Sequence, residues 1–209
     1  MDSLINLIDK NVCLPNVEIE CRIGILNLNK FDSSIDKQLW NKIENVLIGY
    51  DGWVNKESTR KNVIMNNDIH DNYRLVSDSN QQQYSEKKEN IEKINYKCKN
   101  SPWDVRVAVS QEFKLSNIIP INADHPSTVN RIKNTKSYYH KFWRYDLSIV
   151  TQTYNGITKD IYELEIELWN TQEAMHCSPK YLAEDLLCKI SDIIKIVEEY
   201  DSPPELIQV

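Results

Sequence analysis

Hydrophobic and polar positions change their period along this chain, and the changes divide it into helices and strands. From Ser34 to Ile48 the apolar side chains Ile35, Leu39, Trp40, Ile43, Val46 and Leu47 form one stripe at helical spacing. Ser178-Pro179 reads as an N-cap followed by proline in the first turn. Leu182, Leu186, Leu187, Ile190, Ile193, Ile194 and Val197 then predict a second amphipathic helix running to about Tyr200. Asp201-Ser-Pro-Pro stops that helix, and a loose tail is expected after it.

Between the helices the period falls to two. Val17 to Gly24 places Val17, Ile19, Cys21 and Ile23 on one face and Glu18, Glu20 and Arg22 on the other. The alternation returns in Tyr73–Val76, Asp104–Glu112, Arg131–Lys133, Arg144–Val150 and Tyr162–Trp169, with Tyr84–Lys88 and Glu92–Tyr96 as weaker strands. Ser79-Asn-Gln-Gln-Gln has nothing to bury and reads as a hairpin loop, and Asp51-Gly52 as a turn. The pattern is that of an α+β protein dominated by an antiparallel sheet. No internal repeat divides it, so 1–209 is read as a single domain: an N-terminal segment 1–16, strands across 17–168 with a helix at about 34–48, a helix over 178–200 and a tail over 201–209.

Composition narrows the class without naming a task. Hydrophobic residues make up 41% and charged residues 27%, against only 4 Gly and 7 Pro, which excludes disordered and fibrous chains. No apolar run approaches the roughly 20 residues of a membrane span, and no membrane partner is expected. The net charge of -6 argues against nonspecific coating of nucleic acid. Met-Asp-Ser-Leu-Ile lacks the features of an export signal. Cys13, Cys21, Cys98, Cys177 and Cys188 form no CxxC pair and suggest free thiols in a reducing compartment. His70, His125, His140 and His176 show no zinc spacing.

The charged faces do change the picture. Glu163, Glu165 and Glu167 share one strand face at a spacing of roughly 7 Å, where they repel one another, and Glu18 and Glu20 repeat the problem. Arg22, Arg74, Arg106, Arg131, Lys133 and Arg144 supply cations on other strands. A barrel closed with these faces inward would bring the two sets together and leave its apolar faces outside, to be covered by the helices. Such a bore suits a hard divalent cation, magnesium or manganese, bridging carboxylates to a polyphosphate whose remaining charge is met by Arg and Lys.

Taken in order, Glu18-Ile-Glu-Cys-Arg-Ile-Gly24, Tyr73-Arg74, Asp104-Val-Arg106 ending in Glu112, Arg131-x-Lys133-x-Thr135, Arg144-x-Asp146-x-Ser148 and Tyr162-Glu-Leu-Glu-Ile-Glu-Leu168 resemble the strands of triphosphate tunnel metalloenzymes. Within that group they are most similar to the metal-dependent RNA 5′-triphosphatases of fungal, protozoan and viral mRNA capping. The resemblance implies a closed antiparallel β-barrel with a charged interior, removal of the γ-phosphate of triphosphate-ended RNA, and Mg2+ or Mn2+ as cofactor. It implies Glu18, Glu20 and Glu167 as metal ligands, Glu163 and Glu165 as the rest of an acidic floor, and Glu112 as the group that orients the attacking water. Arg74, Lys133 and one of Lys87 or Lys88 would bind phosphate. Arg106, Arg131 and Arg144 would support them, and Asp146 and Ser148 would hold a metal water or the neighbouring arginine. The sequence departs from the family at Thr135, where a basic residue is usual; Lys136 could replace it only across a bulge that turned it inward.

The resemblance also implies partners: triphosphate-ended RNA or a free nucleoside triphosphate, and a guanylyltransferase for the next capping step; whether a second copy of the chain joins as a homodimer is left open by the sequence. A cellular enzyme of this kind belongs in the nucleus, a viral one in the cytoplasm or virion. Two alternatives stay open. Other branches of the same fold hydrolyse thiamine triphosphate, inorganic polyphosphate or nucleoside triphosphates, while Tyr138, Tyr139, Phe142 and Trp143, among basic residues, could instead stack single-stranded RNA.

Overall fold

The computed structural model describes residues 1–28, 30–66, 72–99, 101–122, 125–198 and 205–209. His70 and the expected helix stop at 201–204 lie outside the described residues. Eight strands close into an antiparallel barrel: β1 (Val17–Asn27), β3 (Asn55–Asn66), β4 (Tyr73–Ser77), β5 (Gln83–Cys98), β6 (Asp104–Lys114), β7 (Thr128–His140), β8 (Trp143–Tyr154) and β9 (Ile157–Leu168). Around the ring the order is β1, β6, β5, β4, β3, β7, β8, β9 and back to β1. Short strands β2 (Lys30–Asp32) and β10 (Leu206–Gln208) extend β1 and β5, so the end of the expected loose tail is instead a paired strand.

Local chemistry fixes these elements. Asn155 and Gly156 both have positive φ, the conformation of a tight two-residue hairpin, and set Tyr154 opposite Ile157 at the start of the β8–β9 register. Gly24 permits the close approach of β2, since a Cβ there would fall 2.1 Å from the Asp32 carbonyl oxygen. Helix α2 (Lys37–Gly49) starts where the Asp36 carboxylate accepts from Leu39 N at 2.8 Å, and α4 (Pro179–Glu198) where Ser178 Oγ accepts from Tyr181 N at 3.2 Å. Helix α1 (Asp2–Asn11), within the expected N-terminal segment, buries Leu4, Leu7, Ile8 and Asn11 along one stripe. A short helix α3 (Thr171–Ala174) joins β9 to α4.

The hydrophobic core lies outside the barrel. Ile19, Cys21 and Ile23 of β1, Val105, Val107 and Val109 of β6, Trp143, Tyr145 and Leu147 of β8, and Leu164, Ile166 and Leu168 of β9 pack outward against α1, α2 and α4. Each Leu or Ile buried there contributes about 1.5–3 kcal/mol, so this layer, and not the charged interior, carries the fold. The first half of β3 is exposed on most of its residues.

Candidate active site

Because the apolar faces point out, strict alternation drives the charged faces in. They enclose a cavity of about 360 Å³ lined by carboxylates from β1, β3, β5, β6, β8 and β9 and by Arg and Lys from β1, β3, β4, β5, β7 and β8. Glu20 and Glu167 are direct cross-strand neighbours, and Glu18 is the adjacent inward position on β1. Burial pushes the Glu20 carboxyl up to about 7, and burial together with Glu18, Asp146 and Glu165 pushes Glu167 up to about 8. These carboxylates therefore hold protons far above their usual range unless a cation joins them.

Lysine and arginine already thread the acidic groups. Lys88 Nζ contacts Glu18 and stands 3.1 Å from Glu112 and 3.9 Å from Glu20. Arg22 Nη2 lies 2.9 Å from Glu20 and 2.8 Å from Glu165, and Lys133 Nζ lies 2.6 Å from the other Glu165 oxygen. These two cations and Lys88 hold Glu165 well below the carboxylate range against its burial. Arg144 contacts Glu167 and lies 2.9 Å from Asp146, whose other interior partner is Ser137 Oγ at 2.6 Å. Arg74 stands 3.5 Å from Glu86 and 3.4 Å from Glu112, and Arg131 2.6 Å from Glu163.

Glu18, Glu20, Glu167, Glu165, Glu112, Arg74, Lys133, Lys88, Arg131, Arg144 and Asp146 thus line one cavity. Lys88, not Lys87, points inward: Lys87 lies 2.6 Å from Glu89 and beside the Tyr73 ring. Arg106 stays off the cavity wall, bonded to Asn95 at 2.8 Å and over the Phe31 ring at 4.6 Å. Ser148 is fully buried, paired with Thr135 Oγ1 at 2.9 Å, and Glu163 sits behind Arg131. No bulge interrupts β7 beside Thr135, and Lys136 points outward to Glu44 at 2.5 Å, so it does not replace the missing cation. Tyr138 and Trp143 are packed in the outer core and Tyr139 hydrogen-bonds Glu57, which removes the RNA-stacking surface read from that cluster.

Sequence reasoning missed β3, and with it Lys61, Thr59 and Glu57 on the wall, together with Glu86 and Tyr84 of β5 and the pairing of Arg22. Lys61 is the direct cross-strand partner of Lys133, and both line the cavity. Among the described residues Lys61 makes no ion pair, although Glu86 feels its charge. Thr135 itself faces Thr59, so Lys61 adds a cation one inward position further along β3.

The donor set fits a hard divalent cation, being all oxygen and carrying carboxylates that burial leaves short of positive charge. Among the described residues no three acidic groups stand together at coordinating distance; Lys88, Arg22 and Arg144 pair instead with Glu18, Glu20 and Glu167.

A family model described as "mRNA capping enzyme, beta chain" matches residues 7–199. The fold is similar to that of the Pct1 RNA triphosphatase of S. pombe, with a TM-score of 0.70 at 20% identity over 96% of this chain and 93% of that one. The same protein in complex with the Spt5 CTD gives 0.71 at 19% identity, covering 96% and 92%. The RNA triphosphatase domain of the trifunctional Mimivirus mRNA capping enzyme gives 0.61 at 14% identity, covering 94% and 95%. No curated protein matches the chain in sequence.

Proposed function

Because this chain belongs to the family of mRNA capping enzyme beta chains, we propose that it is a metal-dependent RNA 5′-triphosphatase that releases the γ-phosphate of triphosphate-ended RNA. The observation that carries this reading is the meeting of Glu18 and Glu20 from the first barrel strand with Glu167 from the last, inside a bore whose other walls are basic. Hydrolysis of a phosphoric anhydride is the reaction of this family, and magnesium or manganese is the hard cation that the oxygen donors of the bore suit.

Glu18, Glu20 and Glu167 would hold the metal, whose chemistry when bound is that of a Lewis acid on a phosphate oxygen. The chain's own side chains do the rest. Arg74, Lys133 and Lys61, which line the same cavity, meet the γ-phosphate oxygens as charge-assisted donors. Glu112, between Arg74 and Lys88, accepts a hydrogen bond from the attacking water and orients it in line. A bond forms from the water oxygen to the γ-phosphorus, the bond from that phosphorus to the β–γ bridging oxygen breaks, and the water proton leaves to Glu112 or solvent. The products are a diphosphate RNA end, suited to a guanylyltransferase, and inorganic phosphate.

The test is phosphate release from RNA labelled at the γ-position, compared with ATP, inorganic tripolyphosphate and thiamine triphosphate, each with magnesium, manganese or cobalt. Metal-dependent release from RNA supports the reading. Release from thiamine triphosphate alone, or release undiminished by chelator, overturns it.

A further inference from the structure

The cavity wall is not charged throughout. Val63, Val76 and Tyr84 form a straight cross-strand row over β3, β4 and β5, Val63 opposite Val76 and Val76 opposite Tyr84. Met65 is the next inward position on β3. These four are the only apolar or aromatic side chains among the described residues lining the cavity. Val76 is buried, whereas Val63, Met65 and Tyr84 remain half-exposed to the bore.

Neither phosphate nor a hard cation gains from an apolar wall, since both are held by charge and by hydrogen bonds. Nor is the row part of the core, which lies on the other side of the barrel. Its place is informative. Tyr84 is the second residue of β5 and Val76 the next to last of β4, beside the exposed turn that joins them. One alternation further along the same strands come Arg74 and Glu86, then Lys88. Lys114, the last residue of β6, holds its ammonium 4.1 Å from the centre of the Tyr84 ring.

We infer that this row is the subsite for the first nucleoside of the substrate, with the Tyr84 ring stacking on the base and Val63, Val76 and Met65 packing against base edge and ribose. The triphosphate then runs inward along Arg74 and Lys88, while Lys114 meets the phosphodiester of the chain that leaves the bore. The inference rests on the proposed function and deepens it: the enzyme favours nucleoside-bearing triphosphates over inorganic ones, and does so through stacking that tolerates any base.

The test compares the full-length wild type, Tyr84→Ala and Tyr84→Phe on a triphosphate-ended oligoribonucleotide, ATP and inorganic tripolyphosphate. Loss of a stacking partner lowers kcat/KM for RNA and ATP about ten-fold in Tyr84→Ala, mainly through KM. Tripolyphosphate hydrolysis is unchanged, and Tyr84→Phe keeps the wild-type preference. An equal loss on all three substrates, or no loss on any, overturns the subsite. A wild type that releases no phosphate from any of them refutes the proposed function instead. Calorimetric binding of ATP and tripolyphosphate then decides the subsite alone: a nucleoside preference that Tyr84→Ala abolishes supports it, and equal affinities in the wild type overturn it.

Discussion

Lys133 of β7 reaches past β8 to donate a 2.6 Å hydrogen bond to Glu165 of β9, whose second oxygen faces Arg22 of β1 at 2.8 Å. Glu165 therefore ties three strands together. Removing it strands the Lys133 ammonium, while Arg22 keeps Glu20 at 2.9 Å; such a change costs several kcal/mol in a fully buried pair and about 1–3 kcal/mol here, because Lys133 keeps some solvent. Glu18 differs, since its partner Lys88 also has Glu112 and Glu20 nearby. Glu165→Ala should lower Tm by several degrees along with activity. Glu18→Ala should stay folded, with Tm within about 2 °C of wild type, and lose activity by orders of magnitude. Thermal melts beside phosphate release separate the two; equal melting losses would make Glu18 structural.

The raised carboxyls predict a stability that depends on pH and metal. The folded state holds protons on Glu20 up to about 7 and on Glu167 up to about 8, whereas the unfolded chain releases them near 4.5. Folding thus binds protons across this window, and the stability so gained is lost as pH rises through 7 and 8. Glu18 and Glu165 are shifted the other way, so their contribution disappears only in acid, below 4.5. His140 is lowered by burial and acts below 6.5. Metal-free protein should therefore melt lower at pH 8.5 than at 6.5, and magnesium should raise Tm more at 8.5. A flat or rising profile without metal would contradict the crowding of these carboxylates.

How legible an element was depended on what covers it. On β1, β6, β8 and β9 one face packs under helices and the other lines the bore, so Ile19, Val107, Leu147 and Ile166 alternate with Glu, Arg, Asp or Ser. That contrast exposed the inverted barrel and its carboxylates. On β3 the segment from Asn55 to Lys61 faces water outside and charge inside, so no apolar position marks its period, and Lys61 went unseen with it. Arg106 shows the converse failure. It alternates inward correctly, yet lies far enough along β6 to meet Asn95 and Phe31 in place of the cavity. Strand parity gives a side chain's face; its depth in a sheared barrel requires the register.

Lys61 and Lys133 are directly opposed like charges, a pairing that destabilises a sheet by a few tenths of a kcal/mol unless an anion lies between them. Lys133 shares its charge with Glu165, whereas Lys61 makes no ion pair among the described residues and so has its whole charge to offer the substrate. Lys61→Ala should lower kcat/KM with triphosphate-ended RNA about ten-fold, as expected for one charge-assisted bond, and Lys61→Arg should restore most of it. Tm should hold or rise slightly. Steady-state kinetics with both variants check this; unchanged kcat/KM in Lys61→Ala would remove Lys61 from the phosphate site.

The neighbouring lysines of β5 offer the sharpest contrast, because one register step separates opposite faces. Lys88 is buried against Glu18, Glu20 and Glu112, and its ammonium is held charged by them. Without it, three carboxylates face one another and Glu112 loses a neighbour that fixes its orientation. Lys87 instead lies against Glu89 and the Tyr73 ring on the outer side, and its pairing is of the exposed kind that contributes little. Lys88→Ala should reduce kcat by about a hundred-fold or more, with a partial recovery at lower pH in binding of tripolyphosphate as the carboxylates take up protons. Lys87→Ala should leave kcat/KM within about two-fold of wild type, as a solvent-facing change away from the cavity does. Measured side by side, an equal loss in both variants would place the face of β5 wrongly and with it the ring of charge on which the bore depends.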